Sequence, residues 1–295
     1  MKADRVTLLG VPIDSVGQAG GTEHGPAALR GLLAEEGLDD AGDTAHRIRG
    51  LERDPANGWL AFDDVLAVTS EVRSRVAELT AAGRVPLILG GCCTLLPGAL
   101  AGARDSLGEL GLAYVDGHLD LFTGVTSPTG EGADMPAATV LGIAPPELLE
   151  RLGETPIVDP ARIAFAGARD EEELELIAPL PEGLGLGRND DRDRLRHADL
   201  DRAGRRIAHE VAGGGPDGRF WLHVDVDVLD RRAFPATDYL MDDGLSLPEL
   251  RALTLPLAAA EGLAGINLTC FNPDKDRDGA CGALLADLAR AWIEA

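Results

Sequence analysis

The chain has 295 residues, and 50 acidic against 27 basic side chains leave a formal charge of −23. A field of that sign repels nucleic-acid phosphates and anionic lipid, and no local basic patch overrides it. Hydrophobic residues make up 45% of the chain, enough for a sizeable core and against whole-chain disorder, while 4% aromatic content offers no stacking platform for bases.

Lys2 and Arg5 precede an apolar stretch that Pro12 and Asp14 interrupt too early for a signal peptide. No run approaches the roughly 18 apolar residues of a membrane span. A soluble, cytoplasmic protein is expected. Cys92 and Cys93, adjacent in an apolar segment, with Cys270 and Cys281 far along the chain, suit a reducing compartment better than a disulfide framework. Apolar, β-branched runs predict strands at residues 6–11, 86–89, 112–115, 163–166, 220–226 and 264–268. Between them lies a helix from Asp63, as N-cap, through a stripe of Val65, Val68, Val72, Val76 and Leu79 at spacings of three and four. Residues 181–215, rich in Asp, Arg and Gly, read as an exposed loop with a polar helix around 198–211, and a last helix is expected at 284–293. Alternating strands and helices predict an α/β fold: three αβα layers around a central, mostly parallel sheet, as one domain spanning 1–295.

Two strand ends carry ligand-type side chains at period two. Asp116, His118 and Asp120 follow one, and His223, Asp225 and Asp227 close another. Alternation puts such residues on one face, and in open parallel sheets that face opens into the crevice beyond the carboxyl ends of the strands. Four carboxylates there repel one another unless a cation intervenes. Oxygen ligands with an imidazole suit a hard or borderline divalent ion, Mn²⁺ above all. Capping of strand ends is the alternative reading of either triplet alone, and the pair of them favours metal.

These two clusters, in order with Leu9 to Pro12, His24 to Arg30, Leu89 to Gly91, Gly167 to Asp170 and Phe271 to Pro273, resemble the ureohydrolase family, which contains arginase, agmatinase and formimidoylglutamase. The resemblance spans nearly the whole chain. It implies an arginase-like fold, one or two Mn²⁺ ions, a small guanidino substrate and a homo-oligomer. It also implies that Asp116 and Asp225 bridge two metals, that one metal adds His118 and Asp227, and that the other adds Asp120 and a residue at position 93. The family has histidine at 93; this chain has Cys93. The family's proton-carrying histidine is replaced by Ala133, and its guanidinium-pairing glutamate by Cys270. Asp120 and Cys270 are thus the catalytic candidates, while Ser127, Thr129 and Glu172 lie where the family holds the rest of the substrate. His223, where the family has a small polar residue, is expected to stay behind the ligands. The losses at 133 and 270 weaken the case for arginine and point to a modified guanidine such as a hydroxyguanidine. The alternative is a chain that keeps the fold for a structural or regulatory role without turnover.

Overall fold

A computed structural model describes residues 3–15, 20–170, 189–190, 192–215 and 217–295. Eight strands, β1 (Val6–Val11), β2 (Asp39–Asp43), β3 (Val85–Gly90), β4 (Gly111–Val115), β5 (Ile163–Ala166), β6 (Asn189–Asp190), β7 (Phe220–Asp225) and β8 (Leu263–Thr269), form one sheet in the order β2-β1-β3-β8-β7-β4-β5-β6. Every neighbouring pair is parallel. Strands β1, β3, β4, β5, β7 and β8 are buried along their whole length, as strands covered on both faces must be.

Helices α1 (Gly25–Leu32), α7 (Leu200–Val211), α8 (Leu247–Ala258) and α9 (Ala280–Glu294) cover one face, over a core that includes Leu87, Ala113, Leu222 and Ile266. Helices α2 (Phe62–Ala81), α3 (Leu96–Leu107), α4 (Pro136–Val140) and α5 (Pro146–Leu152) cover the other, over Ile88, Leu112, Tyr114 and Trp221. A short helix, α6 (Arg192–Arg196), precedes α7. Three layers, α over β over α, match the expected fold class. Among the described residues no helix is long and apolar enough to cross a membrane.

The expected strands fall within a residue of those observed. Strand β7 stops at Asp225 because Val226–Val228 winds into a single 3-10 turn, with Asp227 N donating to the Asp225 side chain. Helix α2 buries the expected stripe of Val65, Val68, Val72 and Val76, but its N-cap is Ala61 in the left-handed region, not Asp63. Asp63 sits inside the first turn, where its charge opposes the positive end of the helix dipole. Helix α7 starts at Asp199, whose side chain accepts from Arg202 N, and α8 at a capping box between Ser246 and Glu249. Strand β2 reads as loop from its sequence, Asp-Asp-Ala-Gly-Asp. It is held at the sheet edge by ion pairs of Arg30 with Asp40 (2.8 Å) and Asp43 (2.6 Å), and of Arg84 with Asp39.

The chain leaving β3 passes tightly over β1 and β8. Gly91 N donates to Val11 O at 2.8 Å, and Gly91 O accepts from Cys270 N at 2.6 Å. A Cβ on Gly91 would stand 1.7 Å from the Ile13 carbonyl oxygen, whereas one on Gly31, on the open side of α1, meets nothing within 4 Å. Gly91→Ala is therefore expected to lower the unfolding free energy by about 3 kcal/mol. Gly31→Ala should raise it by up to about 1 kcal/mol, and urea denaturation of both variants checks the contrast.

Candidate metal centre

The four central strands β3, β8, β7 and β4 end side by side, and the segments leaving them carry the candidate ligands. Cys93 follows β3, Cys270 follows β8, Asp225 and Asp227 close β7, and Asp116 to Asp120 follow β4. Cys93, His118, Asp120, Asp225, Asp227 and Cys270 line one cavity together with Asp170, Ala133 and Tyr239, and Asp116 is buried beside them. The sheet thus delivers residues more than a hundred positions apart to one crevice, where such folds place ligands.

Two groups of donors meet there. In the first, His118 Nδ1 lies 3.1 Å from Asp227 Oδ2 and 3.7 Å from Asp116 Oδ1. Backbone amides fix this group: His118 N donates to Asp116 Oδ1 (2.7 Å), Gly117 N to Asp227 Oδ1 (3.1 Å) and Asp227 N to Asp225 Oδ1 (2.8 Å). The second group is Cys93, Asp116, His223 and Asp225, all buried. Cys93 Sγ donates to Asp225 Oδ2 at 2.6 Å and lies 3.5 Å from Cys270 Sγ. His223 stands in this group, its Nε2 3.3 Å from Asp116 Oδ2 and 3.7 Å from Cys93 Sγ. Its place on the same strand face as Asp225 follows from the period of two, so the sequence did hold the signal. Asp120 belongs to neither group. Its backbone is left-handed (φ 49°), and its Oδ2 accepts the hydroxyl of Tyr114.

Burial raises the Asp225, Asp120 and Asp227 carboxyls, the first two well above the usual range. The charges of Asp227 and Asp116 push Asp225 further, and that of Asp116 pushes Asp120. Burial also opposes ionisation of Asp116, but hydrogen bonds from His118 and His223 outweigh it and hold that carboxyl below the usual range. For His118 burial alone would favour the neutral ring, yet Asp227 and Asp116 hold the imidazole well above its ordinary value. A divalent cation would let these carboxyls ionise together. The oxygen and nitrogen donors of Asp116, His118 and Asp227, with ligand atoms within 4.8 Å of one another, fit a hard or borderline ion of the Mn²⁺ kind. Burial pushes the Cys93 thiol well above its ordinary value, and the hydrogen bond with Cys270 and the Asp225 charge add to the shift. Cys270, although lowered by its bond to Cys93, is likewise raised by burial and by Asp225 and Asp227. A thiol so raised is a weak nucleophile.

Ser127 and Thr129 are committed inside their own turn. Each hydroxyl donates to Asp134 Oδ2 at 2.6 Å, while their oxygens accept backbone amides of Gly130 (2.8 Å) and Glu131 (3.0 Å) respectively. The loop therefore presents a carboxylate rather than two spare hydroxyl protons. Glu172 lies outside the described residues. The sequence reading passed over Tyr114, Asp134, Glu131 and Tyr239, none of which forms a motif by spacing. Burial pushes Glu131 up to about 7 against the pull of the Tyr239 hydroxyl, which donates to it at 2.8 Å. The unfolded chain loses this proton near 4.5, so the folded state retains a proton that the unfolded state releases between about pH 4.5 and 7. Stability should fall as pH rises through that window. Glu131→Gln is expected to leave the melting temperature unchanged near pH 4 and to raise it at pH 8, as thermal scans at the two pH values would show.

A sequence model described as the arginase family matches residues 4–293. An arginase of Brevibacillus brevis is 31% identical over 283 residues, covering 92% of each chain. The native structure of the Bacillus caldovelox arginase superposes with a TM-score of 0.87 at 24% identity, covering 100% of this chain and 99% of that one. Formimidoylglutamase from Bacillus subtilis shares the fold at a TM-score of 0.75 and 19% identity, covering 98% and 86% of the two chains. On the full-length family match and the identity to the Brevibacillus protein, the chain belongs to the arginase family.

Proposed function

We propose that the chain is a metal-dependent hydrolase of a guanidino-type C–N bond whose substrate is a substituted, weakly basic guanidine, such as a hydroxyguanidine, rather than arginine. The reading is carried by one observation: the donor set of Asp116, His118 and Asp227, the last two lining the cavity, faces a wall at which Cys270 offers no charge and Ala133 no proton. A divalent ion of the Mn²⁺ kind, held by those three residues, would supply the charge that activates water and polarises the carbon under attack.

The chain's own residues set the substrate. Cys270 is a neutral thiol against Cys93, so a guanidinium beside it has no counter-charge at that wall. An uncompensated buried charge costs on the order of 3–5 kcal/mol, and a neutral hydroxyguanidine avoids most of it. Ala133 has no proton to give, a loss felt less when the departing nitrogen is a weak base. Burial raises the Asp170 carboxyl on the cavity wall to about 6, so it keeps its proton only below that pH. Asp134, gripped by Ser127 and Thr129, disfavours an anionic tail at that end of the cavity.

Competing kinetics on arginine, agmatine and their hydroxylated forms test the reading. The hydroxylated substrates should be favoured in kcat/KM by at least about tenfold, or roughly 1.4 kcal/mol in barrier. Cys270→Glu, which returns a charge to that wall, should narrow or reverse the preference. Faster turnover of the unmodified guanidines would overturn the substrate assignment. No turnover of any of them by protein with bound metal would instead support a structural or regulatory role for the fold.

A further inference from the structure

We infer that this chain holds one divalent cation and not two, because Tyr114, Cys93 and His223 place hydrogen-bond donors on the carboxylates that a second cation would need. The inference rests on the metal-binding reading above, but not on hydrolysis or on the substrate. Three neutral donors each meet one carboxylate. The Tyr114 hydroxyl donates to Asp120 Oδ2, Cys93 Sγ to Asp225 Oδ2 at 2.6 Å, and His223 Nε2 lies 3.3 Å from Asp116 Oδ2. Asp120, Asp225, Asp116 and the residue at 93 are the set that family resemblance assigns to the second ion.

The atoms of Cys93, Asp116, His223 and Asp225 lie within 4.8 Å of one another, a spacing that would admit a cation. Protons decide against it. Trp221 Nε1 can only donate, and it does so to Asn267 Oδ1 at 2.7 Å. That fixes the Asn267 amide, so its Nδ2 faces His223 Nδ1 at 2.6 Å and donates to it. With Nδ1 accepting, the neutral imidazole carries its proton on Nε2, the atom aimed at Asp116. A ring in this tautomer has no lone pair for a metal there. Trp221, His223 and Asn267 are each fully buried, and His223 and Asn267 are register partners on β7 and β8, so the relay is built into the sheet. His223 and Cys93 lie 3.7 Å apart, each against one of the carboxylates of this group, Asp116 and Asp225 respectively. His223 and Tyr114 are thus positioning residues: they neutralise carboxylates without supplying a cation's charge. In the first group of Asp116, His118 and Asp227 the donor that meets Asp227 is the candidate ligand His118 itself, at 3.1 Å, and among the described residues no hydrogen bond locks its tautomer as Asn267 locks that of His223.

The test is metal analysis after equilibrium dialysis against excess Mn²⁺, with electron paramagnetic resonance of the same samples. The wild-type chain is expected to bind one ion with an uncoupled spectrum. The triple variant Tyr114→Phe, Cys93→His, His223→Ser should bind close to two with exchange coupling between them, and Cys93→His alone should stay near one because His223 and Tyr114 remain. Two coupled ions in the wild type would overturn the inference and leave the metal reading standing, and this result needs no variant to fold. A folded triple variant that still binds one would also overturn it. No ion in the wild type would sink the metal reading and this inference together.

Discussion

Four carboxylates, Asp116, Asp120, Asp225 and Asp227, are each no more than 9% exposed, and the last three line a single cavity. Two like charges about 4 Å apart repel by about 4 kcal/mol at an effective dielectric of 20, so the cluster persists only if each charge is answered. The protein answers in two ways. Backbone amides of the loops after β4 and β7 donate to Asp116, Asp225 and Asp227, which ties the active loops to the sheet through the same groups that face the cavity. Side-chain donors and retained protons take the rest, and a cation would take what neither can.

This arrangement explains why the site sits on the central strands rather than on the edges. Strands β3, β8, β7 and β4 are covered on both faces, so the segments leaving them are fixed in direction by buried parallel pairing. Gly91 lets two of those exits approach within a backbone hydrogen bond, Cys270 N to Gly91 O, and Cys93 and Cys270 meet as a result. Cys93, Cys270, His223 and Tyr114 are therefore not independent: they touch one another or a shared carboxylate.

Much of this was legible in the sequence, for reasons that can be stated. Buried parallel strands need unbroken apolar runs, and the period of two puts His223 and Asp225 on one face of β7, whereas Asp116, His118 and Asp227 lie just past the strand ends and reach the site through the turns that follow. What escaped depends on long-range pairing. Strand β2 has no strand-forming residue and exists through arginines on α1 and beside β3. The proton on His223 is set by Asn267, 44 positions away, and by Trp221 behind it. Asp120 turns to Tyr114 because its backbone is left-handed, a conformation that Asp adopts more readily than most residues but that its neighbours here do not signal. Ser127 and Thr129 are placed at the substrate by resemblance, and the hold of Asp134 on both hydroxyls follows no spacing rule.

The central claim is that Asp116, His118 and Asp227 form the cation site of this chain. Anomalous diffraction at the manganese edge, from crystals grown with Mn²⁺, tests it most directly. The account predicts a single peak coordinated by Asp116 Oδ1, a ring nitrogen of His118 and Asp227 Oδ2. A map with no peak in the cavity, or with its peak among Cys93, His223 and Asp225, would contradict it.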